Sequence, residues 1–185
     1  PSTGGWREGA RVADLTAQLA RLRVPLGFVT GAAVLLVARP TWPLMAAGTA
    51  VACAGEALRV WASGHLEKSR EVTKSGPYRW FRHPLYVGSS ILGLGVCIAA
   101  GSALIAALVL AYLGATLPAA VVTEEGFLRR EFGAEYDDYC RGVTAVQPRR
   151  FSWERALRNR EYRAVAGLAI AVTILALKAW LLPRP

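Results

Sequence analysis

The chain has 185 residues, 54% of them hydrophobic and 19% charged, with a formal net charge of +9 and a mean hydropathy of +0.31. Its apolar residues lie in blocks rather than in amphipathic stripes, which excludes an ordinary soluble domain and points to membrane spans. The arginines flank those blocks, so the positive charge is assigned to membrane lipids and topology, with no nucleic acid as partner.

Residues 1–23 form an N-terminal segment in which Trp6 to Arg23 reads as an amphipathic helix, with Val12, Leu15, Leu19 and Leu22 on one side. Residues 24–62 read as a two-helix membrane hairpin. Its first span runs from about Val24 to Ala38 and carries the pair Gly27 and Gly31, a GxxxG spacing that lets a neighbouring helix approach. Its second span runs from Trp42 to about Trp61, where Glu56 and Arg59 share one face as an ion pair at the membrane edge. The first apolar block is not a signal peptide, because further spans follow and no A-x-A-type site stands after it.

A polar connection, Ser63 to Arg82, leads into the stretch GPYRWFRHPLYVG, Gly76 to Gly88. Pro77 and Pro84 keep Gly76 and His83 out of the helical region, so an ordered, non-helical turn is expected at the edge of a hydrophobic layer. Aromatic faces, an imidazole and free backbone N–H groups converge there, as a small-molecule site requires.

A third span, Leu85 to Ala100, and a fourth, Ala103 to Val122, are joined by a Gly101-Ser102 hairpin. The fourth carries no charge until it ends at Thr123-Glu124-Glu125. An unpaired carboxylate is expensive at that boundary; Glu125 can pair with Arg129 at i,i+4, which leaves Glu124 to be explained. Beyond it, Phe127, Leu128, Phe132, Tyr136 and Tyr139 mark an amphipathic helical segment broken at Gly133, suited to fold back as a cover. Residues 164–185 supply a fifth span. The expected architecture is therefore all-α, with about five transmembrane helices. The positive-inside rule puts the long polar segments and the N-terminus in the cytoplasm. Cys53, Cys97 and Cys140 show no CxxC or metal-type spacing, and the first two are expected to be buried, reduced and structural.

Three pieces, GPYRWFRHPLYVG, then EEGFL (Glu124 to Leu128), then EFGAEYDDYCRGV (Glu131 to Val143) with Gln147-Pro148, stand in order around a two-span hairpin. In this the chain resembles the isoprenylcysteine carboxyl methyltransferase and phospholipid methyltransferase families, integral-membrane enzymes that use S-adenosyl-L-methionine. The resemblance covers about Ser63 to Pro148 and implies that residues 63–163 form a catalytic core with a cytoplasmic cofactor pocket. It further implies that Tyr78, His83, Pro84, Leu85 and Tyr86 line that pocket with the backbone around Val72 and Thr73, and that Glu124 is the acidic cofactor ligand.

Those groups suit the cofactor's adenine face, ribose hydroxyls, ammonium and carboxylate. Arg141 and Glu125 are the candidates on the catalytic side, Glu125 having a mainly structural pairing. The carboxylate-methylating relatives carry an arginine one turn before the first glutamate. Here that position is Ala120, which should border the acceptor and leaves no fixed positive charge on that wall. Their Arg-Val pair reads Gly142-Val143, with Arg141 one place earlier. The acceptor is expected to be a lipid-like or prenylated amphiphile methylated at oxygen, nitrogen or sulfur, and the apolar wall at Ala120 suits a neutral or cationic acceptor group better than an anionic one. The competing readings are a membrane NADPH-dependent reductase, since sterol reductases carry a similar C-terminal half, and a non-catalytic membrane scaffold.

Overall fold

The computed structural model describes residues 4–181, with side chains from residue 14 onward. It is all-helical: α1 (Gly4–Val37), α2 (Trp42–Ser63), a 3-10 turn (Gly76–Arg79), α3 (Pro84–Ala100), α4 (Ala103–Phe132), α5 (Ala134–Arg141), α6 (Trp153–Arg158) and α7 (Tyr162–Leu181). Helix α1 packs on α4, α4 on α3, α3 on α2, α2 on α7 and α7 back on α1, so five helices close into a ring.

The tightest seam is α2 against α3, and small residues make it. A Cβ on Gly48 would stand 2.3 Å from the Ala99 backbone nitrogen, and one on Gly95 would stand 2.3 Å from that of Ala52. One turn and more along, a Cβ on Gly55 would meet Leu92 N at 2.5 Å and Gly88 O at 2.6 Å. The two backbones touch, as helices in lipid do when glycines line the interface. One end of the ring is plugged by Val34, Ala38, Ala99, Ala100, Ile105, Val109 and Leu175. Large apolar side chains such as Phe28, Leu36, Leu104 and Trp180 instead face outward, the inverse of a soluble bundle.

Several sequence expectations change in detail. The N-terminal amphipathic segment and the first span are one continuous helix that tolerates Pro25. The side chains of Trp6 to Val12 lie outside the described residues. Among the described residues, three helices have the length and hydropathy to cross a membrane: α1, α4 and α7. Helix α3 is apolar but shorter. In α2, Glu56, Arg59 and a run of Ala, Gly and Thr dilute the apolar character. Helix α4 does not stop at Val122 but continues through Glu124 and Glu125 to Phe132, breaking at Gly133 with φ +49 as expected. The Gly101-Ser102 hairpin also forms, with Gly101 left-handed at φ +60 and Ser102 capping α4. Cys53 faces out of the bundle rather than into it.

Candidate active site

The turn before α3 is built from the two prolines and a glycine. Gly76 takes φ +57, and a Cβ there would lie 2.5 Å from the His65 ring, so both conformation and space demand glycine. His65 is buried and bonds Ser75 Oγ through Nδ1 at 3.0 Å. Burial, with Arg155 and Arg149 nearby, pushes its pKa below the ordinary value. Residues Gly76–Arg79 are not fully non-helical, as expected from the prolines, but wind one 3-10 turn. His83 does leave the helical region, at φ −128 and ψ 62, and Pro84 starts α3.

This turn is clamped from two sides. Tyr139 of α5 donates its hydroxyl to the Tyr78 carbonyl at 2.8 Å, Arg82 donates to the Cys140 carbonyl at 3.0 Å, and Lys74 pairs with Glu135 at 2.7 Å. The cover expected beyond Gly133 is thus docked on the 74–82 segment. On the other side Arg149 binds Glu71 and the His65 carbonyl, Arg155 Nε binds the Gly64 carbonyl at 2.8 Å, and Asn159 bridges the Ser63 and Leu66 carbonyls.

Behind the turn, a cavity of about 1250 Å³ opens between the helices of the ring. Val72, Thr73, Tyr78, Leu85, Tyr86, Ala120 and Glu124 all line it. Tyr78 is only 8% exposed. Burial and the neighbouring Glu124, Tyr139 and Glu161 raise its phenol pKa far above the usual range, so it is a hydrogen-bond donor and not a base. Tyr139 is likewise raised to about 12, by burial and by Cys140. The Glu124 carboxylate lies beside the Tyr86 hydroxyl, is half-buried, and makes no ion pair among the described residues.

Four predicted residues stand apart from the lining. His83 Nε2 meets Glu125 Oε1 at 3.1 Å, and Glu125 Oε2 meets Arg129 at 3.2 Å, so the imidazole and the second glutamate satisfy each other. Pro84 is buried at the head of α3. Arg141 pairs with Asp138 on the exposed face of α5. Three further residues contribute, of which only Arg59 was singled out in the sequence, as half of an ion pair at the membrane edge with a polar cavity the lesser reading. Arg23 of α1 reaches the cavity and donates to Tyr86 Oη at 3.1 Å. Arg59 lines it too, held by Glu56 at 3.3 Å and by Glu161 at 2.7 Å, and Glu161 itself faces the cavity. The i,i+3 pair was visible in the sequence; Glu161, a hundred residues away, carried no local signal. Among the described residues no group of three or more His, Cys, Asp or Glu is placed to hold a metal ion.

A family model described as phospholipid methyltransferase matches residues 31–135. Two curated proteins are similar over part of their length. A nickel-cobalt-cadmium resistance protein, NccN, of Alcaligenes xylosoxydans xylosoxydans is 34% identical over 93 residues. A cobalt-zinc-cadmium resistance protein, CzcN, of Cupriavidus metallidurans is 38% identical over 95 residues. Each match takes in 49% of this chain and 43% of the relative, so the chain spans under half the length of these proteins. No solved structure matches.

Proposed function

The chain belongs to the phospholipid methyltransferase family, and from that premise we propose that it is a membrane-embedded methyltransferase using S-adenosylmethionine on an oxygen, nitrogen or sulfur of an amphiphilic acceptor. The observation that carries the reading is Glu124: a half-buried carboxylate without an ion pair among the described residues, facing the same cavity as Tyr78, Tyr86 and Thr73. Such a carboxylate suits an ammonium or a ribose diol, and the protonated phenols beside it suit the cofactor's acceptor atoms. Pockets for drug-sized ligands run from about 300 to 1,000 Å³, so a cavity of about 1250 Å³ has room for the cofactor and the reacting end of a second molecule.

The cofactor supplies an electrophilic methyl on a sulfonium. What remains for the chain is positioning and the exclusion of water, which contribute strongly to an in-line displacement without a strong base. Thr73, Tyr78 and Tyr86 orient, Glu124 accepts, and the α5 cover closes the polar end. His83 and Glu125 hold α3 and α4 together at the level of Tyr86 and act as positioning residues. In this reading α2 and α3 cross the membrane alongside α1, α4 and α7, giving five spans, and the arginine-rich end with the cavity mouth faces the cytoplasm.

Calorimetry on the purified chain with S-adenosylhomocysteine and with NADPH tests the reading. S-adenosylhomocysteine should bind. Glu124→Gln should cost about 1.5–3 kcal/mol of that affinity, the range for a hydrogen bond to a charged group. Glu125→Gln should cost much less. Binding of NADPH in its place, or equal losses from the two changes, would refute it.

A further inference from the structure

Resting on the methyltransferase reading, we propose that Glu161, which shares Arg59 with Glu56, is the proton acceptor of the reaction and takes the proton that the methyl acceptor gives up.

Arg59 of α2 sits between two carboxylates. Its Nε lies 3.3 Å from Glu56 Oε2 and its Nη2 lies 2.7 Å from Glu161 Oε1, while Nη1 donates to the Ser89 hydroxyl of α3. Glu56 is 5% exposed and Glu161 7%. Two carboxylates on one guanidinium leave one negative charge in excess, in a place where uncompensated charge is costly. Both Glu56 oxygens and Glu161 Oε1 are buried and accept no aligned hydrogen bond. Their lone pairs are open to a proton, and a single proton makes the cluster neutral.

The surroundings point the cluster at the cavity. Arg59 and Glu161 line it and Glu56 does not, so a proton from the cavity enters at Glu161. Helix α6 holds that residue through its N–H, which donates to the Ala156 carbonyl at 3.2 Å. The Tyr78 phenol of the 3-10 turn lies close both to Glu161 and to Glu124 of α4, and Arg23 of α1 stands farther round, on the Tyr86 hydroxyl. Glu161 is thus one side chain away from the carboxylate given to the cofactor. The other acids of the cavity wall are placed differently: Glu67 is met by Arg155 and Arg158, and Glu71 by Arg149. Of the described ion pairs on that wall, only the one at Arg59 has more carboxylates than cations. Glu161 also lies outside the 31–135 stretch shared with the family.

Charge ties the cluster to the chemistry. The methyl donor carries a sulfonium cation and its demethylated product does not. A methyl acceptor X–H, with X oxygen, nitrogen or sulfur, passes its proton to a Glu161 oxygen as the X–C bond forms; the C–S bond breaks and its electron pair stays on sulfur. The sulfonium charge and the excess negative charge disappear together, so the two centres sum to zero before and after. A water-poor site favours such a balance. The carboxylate need not be a strong base, because the proton leaves as the methyl arrives.

The test counts protons on binding and therefore needs no particular methyl acceptor. Full-length protein in lipid nanodiscs is titrated with S-adenosylmethionine and with S-adenosylhomocysteine by calorimetry, in buffers of different ionisation enthalpy, from about pH 6 to 9. Wild type should take up more protons with S-adenosylhomocysteine than with S-adenosylmethionine. Its preference for S-adenosylmethionine should accordingly rise with pH, by up to about tenfold per pH unit, the slope for one proton. Glu161→Gln and Glu56→Gln each leave a neutral cluster at every pH, so both should lose that extra slope and still bind S-adenosylhomocysteine. The ligands' own titrations are common to all three proteins and cancel in the comparison, and either variant suffices if the other does not fold. Equal proton counts for the two ligands in wild type, or a difference that survives in the variants, overturns the inference with the methyltransferase reading intact. Loss of the difference in Glu124→Gln alone would move the role to Glu124 and overturn it too. Binding of neither ligand by the wild type refutes the methyltransferase reading itself and takes the inference with it.

Discussion

Replacing Gly55 by alanine should be among the most damaging single-methyl changes available in this bundle. The new Cβ would stand 2.5 Å from the Leu92 nitrogen and 2.6 Å from the Gly88 oxygen, roughly 1 Å short of van der Waals contact. Both obstacles are backbone of α3, so no side chain can swing aside and the helices must separate. Overpacking of this kind costs about 1–3 kcal/mol. Alanine also gains up to about 1 kcal/mol over glycine in helix propensity, which offsets part of the loss. Gly31→Ala separates the two terms, because nothing lies within 4 Å of a Cβ there and the propensity gain is the same. Gly55→Ala should therefore be about 1–3 kcal/mol less stable than Gly31→Ala. Unfolding of both variants in one detergent, followed by circular dichroism, measures the difference. Because Tyr86 and Ser89 ride on α3, S-adenosylhomocysteine affinity should fall with Gly55→Ala and not with Gly31→Ala. If Gly55→Ala is as stable as Gly31→Ala, the seam is not in backbone contact and the argument fails.

Two further outcomes follow from the clamped turn. Tyr139→Phe removes the donor to the Tyr78 carbonyl and should cost about 0.5–1.5 kcal/mol of stability. Cofactor affinity, measured by calorimetry, should drop with it; an unchanged affinity would detach α5 from the site. His65 has a folded pKa below its unfolded value. The unfolded chain thus binds the extra proton first, and stability should fall as pH drops below about 6.5. Melting temperatures between pH 7.5 and 5 should show that loss, and His65→Asn should flatten it; a wild-type profile flat over this range would contradict the assignment.

The helices were legible because each apolar block ends in residues that terminate or cap a helix: Gly101 in the left-handed region, Ser102 on the Ile105 nitrogen, Pro84 at the first turn of α3. The break at Gly133 was readable for the same reason. The merger of the N-terminal segment with the first span was not, since Pro25 suggested a boundary where the helix in fact runs on. At the site, Tyr78, Tyr86, Glu124 and Ala120 were named from the family resemblance, and all four line one cavity. Arg23 and Glu161 were not, because their partners Tyr86 and Arg59 are 63 and about a hundred positions away and only ring closure joins them. His83 illustrates the opposite limit. Its motif was plain, but its partner Glu125 depends on how α3 and α4 are rotated, which spacing does not define.

Lys178, near the end of α7, points its ammonium at the last turn of α1, with Nζ 2.8 Å from the Leu35 carbonyl and 2.9 Å from that of Leu36. Those oxygens are the negative pole of the α1 dipole, and two of its unpaired acceptors are satisfied by one cation. A count of basic residues would score this lysine against the arginine-rich end when the two faces of the bundle are compared. The ammonium keeps its full charge, so a membrane potential still acts on it; the contact works locally, offsetting the partial negative charge at the end of α1 and tying the last turns of α1 and α7 together, with Arg39 the exposed cation of the α1–α2 connection.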